Sequence, residues 1–190
     1  MATPDPPSHD TVRHRQWTGA AARLWRGASP RYASRMVEIV AVAAPAEMEA
    51  VRVLFDEYKK SVGVDLWFGS VYQRELDDLP KPYLAPGGRL VIAREGAEVA
   101  GCGALRPLRP GIVEMRRLWV RRPYRKQGVG KMIIEALVAW ARSAGYRSVR
   151  LETLSVMSQA EVLFRSLGFA TIPDDRASPF PGSKLFELKL

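Results

Sequence analysis

The residues whose spacing most invites chemistry form a basic, glycine-paired turn, Arg125-Lys126-Gln127-Gly128-Val129-Gly130. It directly follows a stretch that reads as a strand and opens the most clearly periodic helical stretch in the chain. Glycines at such a junction let the backbone turn tightly. Several N–H groups then point outward at the positive end of the helix dipole, where a phosphate oxygen can sit. Arg125 and Lys126 add full charges. On spacing alone, a solvated basic turn that merely caps a helix is the alternative reading. Other phosphate motifs fit worse. A Walker loop needs four residues between its glycines and Ser or Thr after the Lys, whereas here one residue separates the glycines and Met132 follows Lys131. The dinucleotide fingerprint fails because Ile133 stands where its third glycine belongs.

Metal and disulfide chemistry have no such footing. Cys102 is the only cysteine, and both histidines, His9 and His14, fall in the N-terminal stretch, so no Cys and His set exists to build a zinc site and no metal is expected. Cys102 lies in the apolar run 99–105 with no histidine beyond the tail to act as its base, which favours core packing over a nucleophilic role. The net charge of +9, from 29 basic and 20 acidic residues, raises nucleic-acid binding as a reading. Its distribution argues otherwise. Six arginines against two aspartates within residues 1–35 account for +4 of it, and much of the rest clusters around the glycine turn at Arg116, Arg117, Arg121, Arg122, Arg125, Lys126 and Lys131. A polyanionic small molecule explains that cluster better than a duplex.

The elements that must position this turn follow from periodicity. At 190 residues the chain suits one α/β domain, and hydrophobic and charged contents of 47% and 26% are ordinary for a globular protein. No apolar run approaches the ~18 residues of a spanning helix, so no membrane association is expected and a cytoplasmic location is. Residues 1–35, rich in Pro, Ser, Ala and Arg, read as a disordered basic tail, dispensable rather than a targeting leader, with the folded domain spanning 36–190. A strand over 37–42 is followed by an amphipathic helix carrying Met48, Val51, Leu54, Phe55, Tyr58 and Val62, and by a shorter helix over 70–79. The link 63–69 carries Trp67 and Phe68, which with Tyr72 are candidates to line a pocket, against the alternative of simple core. Residues 89–95 and 99–105 read as a β-hairpin, and Pro110-Gly111 turns into a third strand over 112–120. A helix from Val129 to Gly145 then leads to a strand over 148–153, which implies parallel pairing across that crossover. A last helix holds Ala160, Leu163, Phe164 and Leu167 with Ser158 as N-cap, short strands follow near 169–172 and 184–190, and the Pro-rich 173–181 reads as a surface loop. The fold class is therefore α/β with a mixed sheet, antiparallel in its first half and βαβ in its second.

Glu114-Met-Arg-Arg-Leu-Trp-Val120, then Arg125-x-x-Gly128-x-Gly130, then Ala160-x-x-Leu163-Phe164-x-x-x-Gly168-Phe169 together resemble the GNAT acetyltransferase superfamily. The resemblance covers about 37–190 and is most specific over 112–169. It implies that the strand ending at Val120 and the strand starting near Ser148 splay apart, so that acetyl-CoA inserts with its pantetheine arm as a pseudo-strand. Leu118, Trp119 and Val120 would pair with the arm through their backbone, and the Leu118 amide would face the thioester oxygen. Arg125, Lys126, Gln127, Gly128, Val129 and Gly130 would hold the pyrophosphate. Physical chemistry agrees: an unpaired strand edge offers main-chain hydrogen bonds, and an N–H there can stabilise developing negative charge.

A lysine-like amine is nucleophilic only when neutral, a state that costs about 4.6 kcal/mol at pH 7, so a base helps. Glu114 stands where some superfamily members carry theirs, and an ion pair with Arg116 or another arginine is the competing role. Strict alternation puts Glu114, Arg116, Leu118 and Val120 on one face unless a bulge intervenes. Glu152 is the second candidate. Many superfamily members carry a Tyr on the last helix as general acid, where this chain has Phe164, and Met157 occupies a position where Asn is frequent. A CoA thiolate, with a pKa near the ordinary ~8.5, leaves without a strong acid, aided by a water or Ser155. The leading expectation is acetyl transfer from acetyl-CoA to a primary amine, on a small molecule or peptide, by direct attack in a ternary complex. A CoA-binding sensor without turnover is the alternative, duplex binding a third, and a homodimer stays open.

Overall fold

The βαβ rhythm of the second half and the meander of the first combine in one mixed sheet. The computed structural model describes residues 36–43, 45–62, 69–83, 86–154, 157–173 and 182–190. The 1–35 tail, the 63–68 link with Trp67 and Phe68, the Tyr72 side chain, Ser155 and the loop residues 174–181 lie outside the described residues. In chain order the elements are β1 (Val37–Ala41), α1 (Pro45–Val62), α2 (Gly69–Asp77), β2 (Arg89–Glu95), β3 (Glu98–Arg109), β4 (Ile112–Val120), α3 (Val129–Ser143), β5 (Ser148–Thr153), α4 (Ser158–Ser166), β6 (Ala170–Ile172) and β7 (Lys184–Lys189).

Among the described residues the strands run in the order β1-β2-β3-β4-β5-β7-β6. The first four are antiparallel neighbours, and β2 and β3 join through a two-residue turn at Gly96-Ala97 with Gly96 at φ 59°. The α3 crossover makes β4 and β5 parallel, as expected of a βαβ unit. The final strand then comes back inside the sheet: β7 lies antiparallel between β5 and β6. Residues 70–79 were expected to be one helix, but α2 ends at Asp77 and a 3-10 turn follows at Lys81–Tyr83, because Pro80 and Pro82 cannot continue an α-helix. Ser158 does not cap α4. Met157 occupies the N-cap position, with no side-chain cap bond.

Alternation along the strands sorts the core into two layers. On one face Val91, Ala93, Val113, Met115, Val149 and Leu151 pack with Ile133, Ile134 and Leu137 of α3 and Phe164 of α4. On the other, Leu90, Ile92, Cys102 and Ala104 pack with Val51, Leu54 and Phe55 of α1. Each large aliphatic side chain so buried contributes ~1.5–3 kcal/mol relative to exposure. α3 comes so near β3 that a Cβ on Gly103 would lie 2.6 Å from the Ile133 side chain, which leaves only glycine room there.

Gly103 is also where the strand pairing breaks. Cys102 pairs with Trp119 and Ala104 with Arg116, so Gly103 alone stands opposite both Arg117 and Leu118. Arg117 takes a left-handed conformation at φ 56°, the geometry of a β-bulge, at a cost of roughly 1–2 kcal/mol for a residue with a Cβ. The expectation that Glu114, Arg116, Leu118 and Val120 share a face is therefore corrected. The bulge inverts the phase after Arg116: Leu118 and Val120 pack on the α3 side, whereas Arg116, Arg117 and Trp119 contact residues of α1 and α2.

Candidate active site

β4 and β5 pair only where Ile112, Val113, Glu114 and Met115 face Ser148, Val149, Arg150 and Leu151. Beyond that point β4 continues with β3 alone, and Glu152 and Thr153 of β5 pair with β7. Two central strands thus diverge at Met115 and Leu151. The Arg121 N–H donates to the Ala100 carbonyl at 2.9 Å, and the preceding residues Trp119 and Val120 stay in regular register with β3. Alternation then turns the N–H groups of Val120 and Leu118 toward the edge that β5 has left. On the opposite side of the opening the Thr153 hydroxyl is buried without a hydrogen-bond partner among the described residues.

The mouth of this opening is closed by the turn that leads into α3. A 3-10 turn at Arg122–Tyr124 is followed by Lys126 at φ 60° and by Gly128 at φ 82°, which is the N-cap of α3. Gly128 accepts from Met132 N–H at 3.0 Å, so the earlier N–H groups of the first helical turn have no intrahelical acceptor. Gly128 needs its left-handed backbone, and a Cβ there would meet nothing within 4 Å; the constraint is conformational. The Gln127 amide ties back to the Pro123 carbonyl at 2.6 Å, and Arg125 reaches the Val120 carbonyl through Nε at 2.9 Å. The predicted residues 118–120 and 125–130 are therefore brought together at one end of the opening.

At the other end lies a cleft of about 110 Å³, lined by Tyr58, Glu114, Met115, Arg116, Arg117, Glu152 and Leu154. Both candidate carboxylates border it. Glu114 is buried, and its Oε2 accepts from Arg106 at 2.9 Å and from Arg116 at 3.3 Å, so the ion-pair role is present in the geometry. Phe164 is far from any acid role: it is buried with its ring centroid 5.8 Å from that of Phe169 and 6.1 Å from that of Phe186. Cys102 is fully buried, its thiol donates to the Arg117 carbonyl at 3.4 Å, and burial pushes its pKa up, which leaves it inert as a nucleophile.

Sequence reasoning missed the polar cluster behind the cleft. Glu75 of α2 holds Arg117 through Nε at 2.8 Å and Nη2 at 2.6 Å, receives Arg116 at 3.4 Å and accepts from the Tyr83 hydroxyl. Burial works to raise the Glu75 carboxyl, but the hydrogen bond and charge of Arg117, with Arg116, outweigh it and hold the group below the ordinary carboxylate range. Burial and then the Glu75 charge push Tyr83 up. The Tyr58 hydroxyl is also raised by burial, against the pull of Arg117, whose guanidinium lies 5.6 Å from its ring centroid. On α1, Glu57 accepts from Arg121 at 2.8 Å and from the Trp119 indole at 3.1 Å, and the Arg121 hydrogen bond keeps its carboxyl low. The one signal for this cluster was its composition, acidic residues on two amphipathic helices facing an Arg-rich strand; nothing local paired them.

No group of residues fit to hold a metal ion occurs among the described residues, and no described helix is long and apolar enough to cross a membrane. The model of the acetyltransferase (GNAT) family matches residues 48–169. An uncharacterized N-acetyltransferase of Schizosaccharomyces pombe is 31% identical over 156 residues, which cover 81% of this chain and 95% of that protein. Among solved structures, an acetyltransferase from Streptococcus agalactiae superposes with a TM-score of 0.68 at 20% identity, over 81% of this chain and 98% of its own. YncA of Salmonella typhimurium, solved with its cofactor acetyl-CoA, superposes with a TM-score of 0.60 at 16% identity, over 80% and 93% of the two chains. The structures share the fold, and the sequence matches carry the kinship: the chain belongs to the GNAT family of acetyltransferases.

Proposed function

We propose that the chain moves an acetyl group from acetyl-CoA to a primary amine, by direct attack in a ternary complex without a covalent acyl-enzyme. The observation that carries this reading is the divergence of β4 from β5 after Met115, which leaves the Leu118 and Val120 amides facing an opening that ends at the α3 N-terminus. That edge suits an extended arm as an added strand, and the turn suits a diphosphate. When bound, acetyl-CoA supplies an activated thioester. Leu118 and Val120 hold the arm by backbone hydrogen bonds, whereas Trp119 between them, expected to share that role, turns its backbone to β3 instead. Arg125, Lys126, Gln127, Gly128, Val129 and Gly130 hold the pyrophosphate through amides and charge. The Leu118 N–H stabilises the negative charge that develops on the thioester oxygen.

Across the opening, the cleft between Glu114, Glu152 and Tyr58 receives the acceptor amine. Glu114 takes the amine proton, and Arg106 and Arg116 hold its carboxylate in place while it does so. The buried Phe164 offers no proton to the leaving thiolate, whose ordinary pKa of ~8.5 lets it depart without one. We assign acetyl transfer to residues 36–190 and treat 1–35 as a dispensable tail. The acceptor is a small-molecule or peptide amine.

The test is thiol release from acetyl-CoA with a panel of primary amines. Release that depends on the amine supports the enzyme. Because Phe164 leaves the acid position empty, a second reading is a CoA-binding sensor, and tight acetyl-CoA binding with no release across a broad panel favours it.

A further inference from the structure

The Leu118 amide can serve the thioester only if the bulge before it is held. The residue that makes the bulge is Arg117 at φ 56°, a region that costs a side chain with a Cβ free energy unless other contacts offset it. Arg117 is not left unaided. Glu75 grips it with two hydrogen bonds at 2.8 and 2.6 Å, and Glu75 is itself fixed by the Tyr83 hydroxyl and by Arg116. The thiol of Cys102 fastens the Arg117 carbonyl from β3 at 3.4 Å. The side chains of the pair are only 3% and 6% exposed. An ion pair so buried is a poor source of stability compared with apolar packing of the same volume, which points to a conformational role.

We infer that Glu75 and Arg117 form a brace that holds the β4 bulge and thereby aims the Leu118 N–H into the opening between β4 and β5. Both are positioning residues, acting through Leu118, and the inference rests on the proposed role of that amide. The brace links α2 to the catalytic strand across 42 positions of sequence. Without it, strict alternation would resume and turn the Leu118 amide toward β3 instead.

A pair of double variants isolates the effect. E75Q/R117G and E75Q/R117A both lack the brace and both remove its charges, and they differ by one methyl group. Glycine holds the left-handed bulge without that cost; alanine bears it. Both variants lose the Arg117 side chain from the cleft lining, so the readout is their difference: the expected result is a kcat about tenfold or more lower for the alanine variant than for the glycine variant, with KM for acetyl-CoA alike in the two. A second readout needs no turnover: the 15N-amide shift of Leu118 on addition of acetyl-CoA should appear in the wild type and the glycine variant and shrink in the alanine variant. Melting temperatures show whether both variants are folded at the assay temperature. A wild type that releases no thiol with any amine contradicts the proposed function, and the amide shift then judges the brace alone. Equal kcat values or equal Leu118 shifts in the two variants overturn the brace.

Discussion

The guanidinium of Arg125 lies 4.6 Å from the centroid of the Trp119 ring, while its Nε donates to the Val120 carbonyl at 2.9 Å. The first residue of the phosphate turn is thus stacked on the strand edge assigned to the pantetheine arm. Such stacking fixes a charge without fully desolvating it. Removing it by R125A should weaken acetyl-CoA binding by about tenfold, the scale of one charge-assisted hydrogen bond. R125K keeps the charge and loses the planar stack, so it should fall between the two. Calorimetric titration with acetyl-CoA measures both.

Gly128 begins α3 at φ 82° with open space around it. G128A should therefore act through backbone strain of about 1–2 kcal/mol, lowering Tm by a few degrees. Affinity for acetyl-CoA should fall with it, because relaxing the turn withdraws the N–H groups of the first helical turn. Thermal melting with and without acetyl-CoA separates the two effects.

Glu114 and Glu152 face one cleft and make opposite predictions for the same change. If Glu114 takes the amine proton, E114Q lowers kcat by about 10²-fold or more, leaves KM for acetyl-CoA unchanged and removes the acid limb of the pH profile. E152Q should change kcat little. The reverse pattern in kcat-against-pH curves for the two variants would move the base to β5.

Glu75 and Tyr83 shape stability against pH in opposite directions. The Glu75 carboxyl titrates below its ordinary 4.5 in the folded chain, so it adds stability above that value and the contribution is lost as pH falls through the lowered one. Tyr83 is raised above its ordinary 10.0, so its contribution is whole below that value and is lost as pH rises toward the raised one. Urea unfolding across a pH series should show the acid slope reduced in E75Q and the alkaline slope reduced in Y83F.

What was legible in the sequence is what periodicity and local turn chemistry control. The Ile133 and Leu137 stripe of α3, the Gly96-Ala97 hairpin and the Gly128 turn are all decided within a few residues of themselves. The bulge was not, because Arg117 carries no local mark of left-handed backbone and its anchor, Glu75, lies on a different helix. The same holds for Glu57, which meets Trp119 and Arg121 only after α1 docks on the sheet. The place of β7 between β5 and β6 was hidden for a related reason: alternating residues in 184–189 record a strand and its buried face, and say nothing of its neighbours. The ion pairs of Glu114 were half legible, since Arg116 is two residues away while Arg106 arrives from β3.

A crystal structure of the complex with acetyl-CoA tests the central claim most directly. The account predicts the pantetheine arm alongside Leu118, Trp119 and Val120, the thioester oxygen within hydrogen-bond distance of the Leu118 N–H, and the diphosphate on the amides between Gln127 and Lys131. A ligand bound elsewhere, or a groove beside β4 filled by the protein's own chain, would contradict it.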